Sequence, residues 1–155
     1  MPREPFLKIV RDIHEAIAGL PLDAALEQRL NARFPTTGDV FASLKALCAE
    51  GEAQGWLMGR EAGGIKFSRP VKPGAEAGAC SVDVVRMNNM AGPHHVHTTG
   101  EIGAIMPITP HAKFDDKAAG WYVYPPGSAH HPTVTDGEAY ILYLLPDGAI
   151  EFTGK

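Results

Sequence analysis

The sequence has little of what marks a specialised partner. It holds only two cysteines in 155 residues, Cys48 and Cys80, and neither belongs to a CxxC pair. Two reduced thiols in a cytoplasmic protein are the expectation, and a metal site using either one would need it to lie beside histidine. No basic run or stripe is present and the formal net charge is -4, which argues against nucleic acid as a partner. No apolar stretch approaches the length of a bilayer span, so no membrane partner is expected. No signal peptide is expected in the first residues either, because Arg11, Asp12 and Glu15 interrupt any apolar core. Internal repeats and low-complexity segments are absent as well. What remains is an ordinary globular composition, 45% hydrophobic and 21% charged, enough to bury a sizeable core in one domain or in a compact domain with a helical extension.

The chain changes character near residue 52. Before it, Phe6, Ile9, Val10, Ile13, Ile17 and Leu20 recur at helical spacing, with Gly19 and Pro21 as punctuation. A second helix is expected from about Asp23, a candidate cap, through Leu26 and Leu30. A third carries Val40, Phe41, Leu44, Leu47 and Cys48 and ends at Glu50-Gly51. After it, short apolar runs alternate with glycine and proline. "GWLMG", "GIKFS", "CSVDVVRM", "EIGAIMPI", "GWYVYPP", "EAYILYLLP" and "AIEF" read as strands of a sandwich or barrel. The expected division is a helical segment over 1–52 and a β-domain over 53–155, with the helices packed on the barrel as the alternative.

Five of the seven histidines fall in two clusters, His94, His95 and His97 and then His130 and His131. On a strand His95 and His97 share a face, and His94 points elsewhere. Thr98-Thr99-Gly100 can turn and bring Glu101 back toward both imidazoles. Pro125-Pro126-Gly127 turns the chain before the second cluster, so that His130 or His131 can face the same interior. A buried Glu101 without a cationic partner would be costly or would protonate, a difficulty that a divalent cation removes. Imidazole and carboxylate ligands with an open position suit Fe, Mn, Ni, Cu or Zn. The isolated His14 and His111 carry no such signal.

"HVHTTGE" fits the first motif of the cupins, HxHxxxE, at His95, His97 and Glu101. "PPGSAH" fits the second, PxGxxH, at Pro125, Gly127 and His130. The glycine usually found several residues before HxH is displaced to Gly92, and valine stands at 134 where asparagine is common. The resemblance implies a mainly β fold, a cupin-type double-stranded β-helix (jelly-roll barrel) with a short N-terminal α-helical segment. It also implies one divalent transition metal held by His95, His97, Glu101 and His130, and a homo-oligomer, most simply a dimer.

From "GPHHVHTTGEIGAIMPI" through "GWYVYPPGSAHHPTV" to "AYILYLLPDGAIEF", the chain further resembles the 4-hydroxylaminobenzoate lyase family over nearly its whole length. That resemblance implies conversion of 4-hydroxylaminobenzoate to 3,4-dihydroxybenzoate with release of ammonia. In that frame His94 or His131 carries protons, and Tyr122 and Tyr124, on one face of their strand, stack the ring or act on it. Arg86 shares parity with Val82 and Val84, and if that face is inward it pairs the substrate carboxylate; Lys66 and Arg60 are further candidates. Core packing or solvent exposure accounts for each of these residues taken alone. Two rivals stand beside the lyase: a cupin dioxygenase acting on an aromatic or other small substrate, and a non-catalytic binder or regulator whose helices, with "DVFASLKALCAEGEAQGWL", form an interaction or DNA-reading module.

Overall fold

Helix α1, Arg3–Ile17, buries Phe6, Ile9, Val10, Ile13 and Ile17 along one side, as the spacing requires. It stops before Leu20, which lies outside the helix and is exposed. Helix α2, Ala24–Arg33, starts where Asp23 accepts the Leu26 amide at 3.0 Å, a side-chain cap that satisfies one of the free N–H groups of the first turn. Helix α3, Asp39–Gln54, runs a turn beyond the expected stop at Gly51. Gly51 serves packing instead: a Cβ there would lie 2.6 Å from Leu57, so the missing side chain admits Leu57. The helix ends at Gly55, whose φ of 84° is the left-handed cap that glycine adopts without cost. These coordinates come from a computed structural model that describes residues 3–155; Met1 and Pro2 lie outside it.

The strands follow as β1 (Arg60–Ala62), β2 (Ile65–Val71), β3 (Cys80–Ala91), β4 (His95–His97), β5 (Glu101–Pro107), β6 (Lys113–Phe114), β7 (Gly120–Tyr124), β8 (Ser128–His130), β9 (Thr133–Pro146) and β10 (Glu151–Phe152). "GWLMG" is not among them. Leu57 and Met58 are buried in the passage from α3 to the sheet, and Trp56 packs edge-on against Phe6 at 5.5 Å. All pairings are antiparallel. One sheet has the order β1-β2-β3-β9-β5-β7 with β6 also on β9; the other has the order β10-β4-β8. The two sheets close on each other as the jelly-roll cupin barrel that the motifs imply.

Both faces of the larger sheet are covered. Val82 and Val84 of β3, Ile102 and Ala104 of β5, and Leu142 and Leu144 of β9 join α1, α2 and α3 in one continuous core. The alternate residues, among them Val85, Met87, Ile105, Tyr122 and Ile141, face the smaller sheet in a second cluster. Helix α2 also closes the free edge of β7: the Asn31 amide donates to Trp121 O (3.1 Å) and accepts from Trp121 N (2.9 Å), and Glu27 accepts from Val123 N (2.9 Å). An edge strand is thereby satisfied by side chains. No helix among the described residues is long and apolar enough to cross a membrane.

Candidate metal centre

Strand alternation sends His95 and His97 of β4 into the barrel and Val96 outward. His130 of β8 is the direct cross-strand partner of His95, so its side chain rises from the same face. The three rings meet through their Nε2 atoms, with His130 Nε2 at 2.9 Å from His95 Nε2 and 3.0 Å from His97 Nε2. After the turn at Thr98–Gly100, Glu101 enters β5 facing inward and sets Oε1 at 2.9 Å from His97 Nε2. The four ligand atoms lie within 4.8 Å of one another. His97 is fully buried and Glu101 is 2% exposed.

The surroundings prepare these groups for a cation. Burial first, and the neighbouring imidazoles second, push His95 down to about 3, so that it is neutral at pH 7. Neutral imidazole is the form that offers a lone pair. Asp115 Oδ2 lies 2.6 Å from His130 Nδ1, which makes that nitrogen the N–H donor and leaves Nε2 free to accept. Tyr124 donates to the same Oδ2 at 2.7 Å, and the Thr133 amide donates to Oδ1 at 3.0 Å. Burial pulls the Asp115 carboxyl upward, but the hydrogen bonds from His130 and Tyr124 outweigh it and leave it below its ordinary value. Glu101 Oε2 accepts from the Tyr122 hydroxyl. Burial and then the Glu101 charge push Tyr122 well up, so it remains a protonated donor. Gly103 makes room for it, since a Cβ at that position would overlap the Tyr122 ring.

A cavity of about 230 Å³ opens from this cluster between the two sheets. Phe67, Met87, Phe114, Tyr122 and Ile141 supply its apolar walls, and no lysine or arginine lines it. An apolar cavity of about 150 Å³ accommodates benzene, so the volume suits one substituted ring. The carboxylate of Glu101 thus faces three imidazoles and a phenol, with no lysine or arginine on the cavity wall, a donor set that fits a divalent transition ion.

The other expected site residues fall elsewhere. His94 and His131 do not line the cavity. Both are out of phase with the inward histidines, and they pair with each other at a ring separation of 4.8 Å. His94 Nδ1 is bound to Thr153 Oγ1 (2.5 Å), and the exposed His131 reaches Gly92 O (3.3 Å). Both expected proton carriers thus stand outside the cluster and its cavity, and His130, not His131, is the histidine that joins the cluster. Tyr124 faces inward but stands behind His130, held by Asp115. Arg86 lies outside the cavity as well. Its parity with Val82 and Val84 is right, but that face meets the helices, where Arg86 pairs with Glu52 (2.6 Å) and Glu138 (2.7 Å). Lys66, its register partner, joins Glu52 at 3.5 Å on the same side. Asp115 escaped the sequence reading, because an aspartate in the loop "KFDDKAAG" has no spacing that ties it to a histidine fifteen residues on.

A family model described as PnbB, 4-hydroxylaminobenzoate lyase, matches residues 8–152, helices and barrel together. A 4-hydroxylaminobenzoate lyase from Pseudomonas putida is 25% identical over 167 residues, covering 97% of this chain and 95% of its own. Among solved structures, an oxalate oxidase in complex with the substrate analogue glycolate has a TM-score of 0.43 and 21% identity over 60% of this chain and 57% of that one. An RmlC-like cupin protein from Ralstonia eutropha has a TM-score of 0.43 and 9% identity over 58% and 60%. The chain spans less than two thirds of the length of either structure.

Proposed function

This chain belongs to the PnbB 4-hydroxylaminobenzoate lyase family, and we propose that it is a metal-dependent lyase converting 4-hydroxylaminobenzoate and water to 3,4-dihydroxybenzoate and ammonia. The reaction balances without an outside oxidant. One ring C–H bond and the C–N bond give way to two C–O bonds, and the N–O bond that breaks takes up the electrons. The observation that carries the reading is the convergence of three Nε2 atoms and one carboxylate on the wall of a ring-sized apolar cavity.

His95, His97, His130 and Glu101 would hold the ion, which when bound supplies Lewis acidity toward an oxygen of substrate or water. The chain's own groups do the rest. Phe67, Phe114 and Ile141 pack the ring and keep bulk water away from it. Asp115 fixes the His130 tautomer. Tyr122 replaces His94 and His131 as the proton-bearing side chain at the cavity, with its hydroxyl proton shared toward Glu101.

The test is metal analysis of the purified protein followed by incubation with 4-hydroxylaminobenzoate under nitrogen. Ammonia and a catechol product are expected in equal amounts, and both should disappear on chelation and return with added metal. A metal-loaded protein that releases no ammonia, or one that turns over only with oxygen, sinks the reading.

A further inference from the structure

The ring acid that this reading supplies carries a carboxylate, yet no lysine or arginine lines the metal cavity. The inward face of the larger sheet nonetheless bears two arginines beyond the metal cavity, Arg60 and Arg69, and Arg69 is the one held by a carboxylate. Along β2, Ile65 and Phe67 point into the cavity and Arg69 follows on the same side. There its Nε and Nη2 donate to Asp83 at 2.8 and 3.3 Å, Asp83 belonging to the inward row that continues with Val85 and Met87. The pair adjoins a second cavity of about 640 Å³, which has Arg60, Arg69 and Lys72 on its walls against one carboxylate, Asp83. In a chain of net charge -4 this is a local excess of positive charge.

The two cavities share Phe67, Tyr143, Ile150 and Phe152, so they meet at these side chains. Tyr143 stands at the junction. Its hydroxyl has no hydrogen-bond partner among the described residues, unlike those of Tyr122, Tyr124 and Tyr140. Arg69 is also incompletely used: Nη2 reaches Gly148 O at 3.4 Å, and Nη1 donates to no described group. A partly buried Arg–Asp pair contributes little to stability once desolvation is counted, and the unused Nη1 leaves this one able to take an anionic ligand. We infer that Arg69, together with the Tyr143 hydroxyl, binds the carboxylate of the aromatic acid, whose reacting end then lies toward Glu101 and the histidines. The inference rests on the lyase reading for the class of substrate. Asp83 is the positioning residue: it holds the guanidinium by two bonds and leaves Nη1 for the substrate.

Binding can be measured without turnover. Titration calorimetry of the metal-loaded full chain would compare 4-hydroxybenzoate with the uncharged 4-hydroxybenzamide. Wild type should prefer the acid. Arg69→Gln should weaken the acid about 10- to 100-fold, the range lost with a hydrogen bond to a charged group, and leave the amide within about twofold. Because that change strands a buried Asp83, the double variant Arg69→Gln/Asp83→Asn removes both charges and should give the same result with a near-wild-type melting curve. Asp83→Asn alone keeps the guanidinium but loosens its hold, so the preference for the acid should narrow without vanishing, and a preference as large as that of wild type would remove Asp83 from the positioning role. A wild type without that preference, or a folded double variant that retains it, overturns the inference. Arg69-dependent acid binding without ammonia release leaves this site standing and sinks the lyase reading. Ammonia release with acid binding indifferent to Arg69 does the reverse.

Discussion

At the scale of single residues, Asp115 has the widest reach for its size. One carboxylate oxygen receives both His130 and Tyr124, and the other receives a backbone amide. Its backbone holds φ at 50°, a left-handed conformation that aspartate tolerates better than most residues. Asp115→Asn keeps the shape but exchanges a charged acceptor for a neutral amide, so His130 is less firmly held in the tautomer that exposes Nε2. Metal affinity should fall about 10- to 100-fold, as is usual when the outer partner of a ligating histidine is lost. Competition with a chromophoric chelator measures it, and Tyr124→Phe should cost less because His130 keeps its carboxylate. Unchanged affinity in Asp115→Asn would remove Asp115 from the site. The contrast with Glu101 shows what spacing can reveal. His95, His97 and Glu101 lie within one strand-turn-strand, where a two-residue period and a tight turn fix which side chains meet. Asp115 meets His130 because β6 pairs with β9 beside the turn that follows β8, and no local pattern encodes that.

At the scale of elements, the strands were legible and their faces were not. β3 and β9 read as strands because their apolar content is high and punctuated. That same content hid which face is which. An alternating pattern separates inside from outside when one face meets water; here the helices cover one face and the smaller sheet the other, so Arg86 could be inward without being in the cavity. "GWLMG" misleads for a related reason, since a short buried run looks alike in a strand and in a connection. Helix α2 was legible from Asp23 and its leucines, but not its task of closing the β7 edge. Asn31 does this with both amide atoms. Asn31→Ala should leave the Trp121 N–H and C=O unpaired and cost about 1–3 kcal/mol, the range for stranding buried polar groups. Urea unfolding monitored by tryptophan fluorescence would read it. A loss below about 0.5 kcal/mol would mean that water replaces the amide and that α2 is not the cover of this edge.

At the scale of the molecule, the boundary near residue 52 separates kinds of structure that share one core. Phe6, Ile13, Leu30 and Leu44 from the helices lie in the same cluster as Val82, Val84, Ile102, Leu142 and Leu144 from the sheet. The barrel therefore presents two apolar faces, and the smaller sheet covers only one of them. Fully burying one aliphatic side chain stabilises by about 1.5–3 kcal/mol, so uncovering five of them forfeits about 8–15 kcal/mol, comparable to the whole stability of a typical domain at ~5–15 kcal/mol. The Arg86 network points the same way, because removing Glu52 of α3 leaves a partly buried guanidinium with Glu138 alone. A chain starting after Gln54 is thus expected to be insoluble or unfolded, with no cooperative thermal transition and no metal bound. Supplying residues 1–54 as a separate fragment should restore some of both, since the contacts between helices and sheet are side-chain contacts that do not require the covalent link at Gly55. A truncated barrel that is soluble, melts cooperatively and binds metal would show that the helices are an appendage, and their part in turnover would then have to be found in the closed edge of β7 and not in the core.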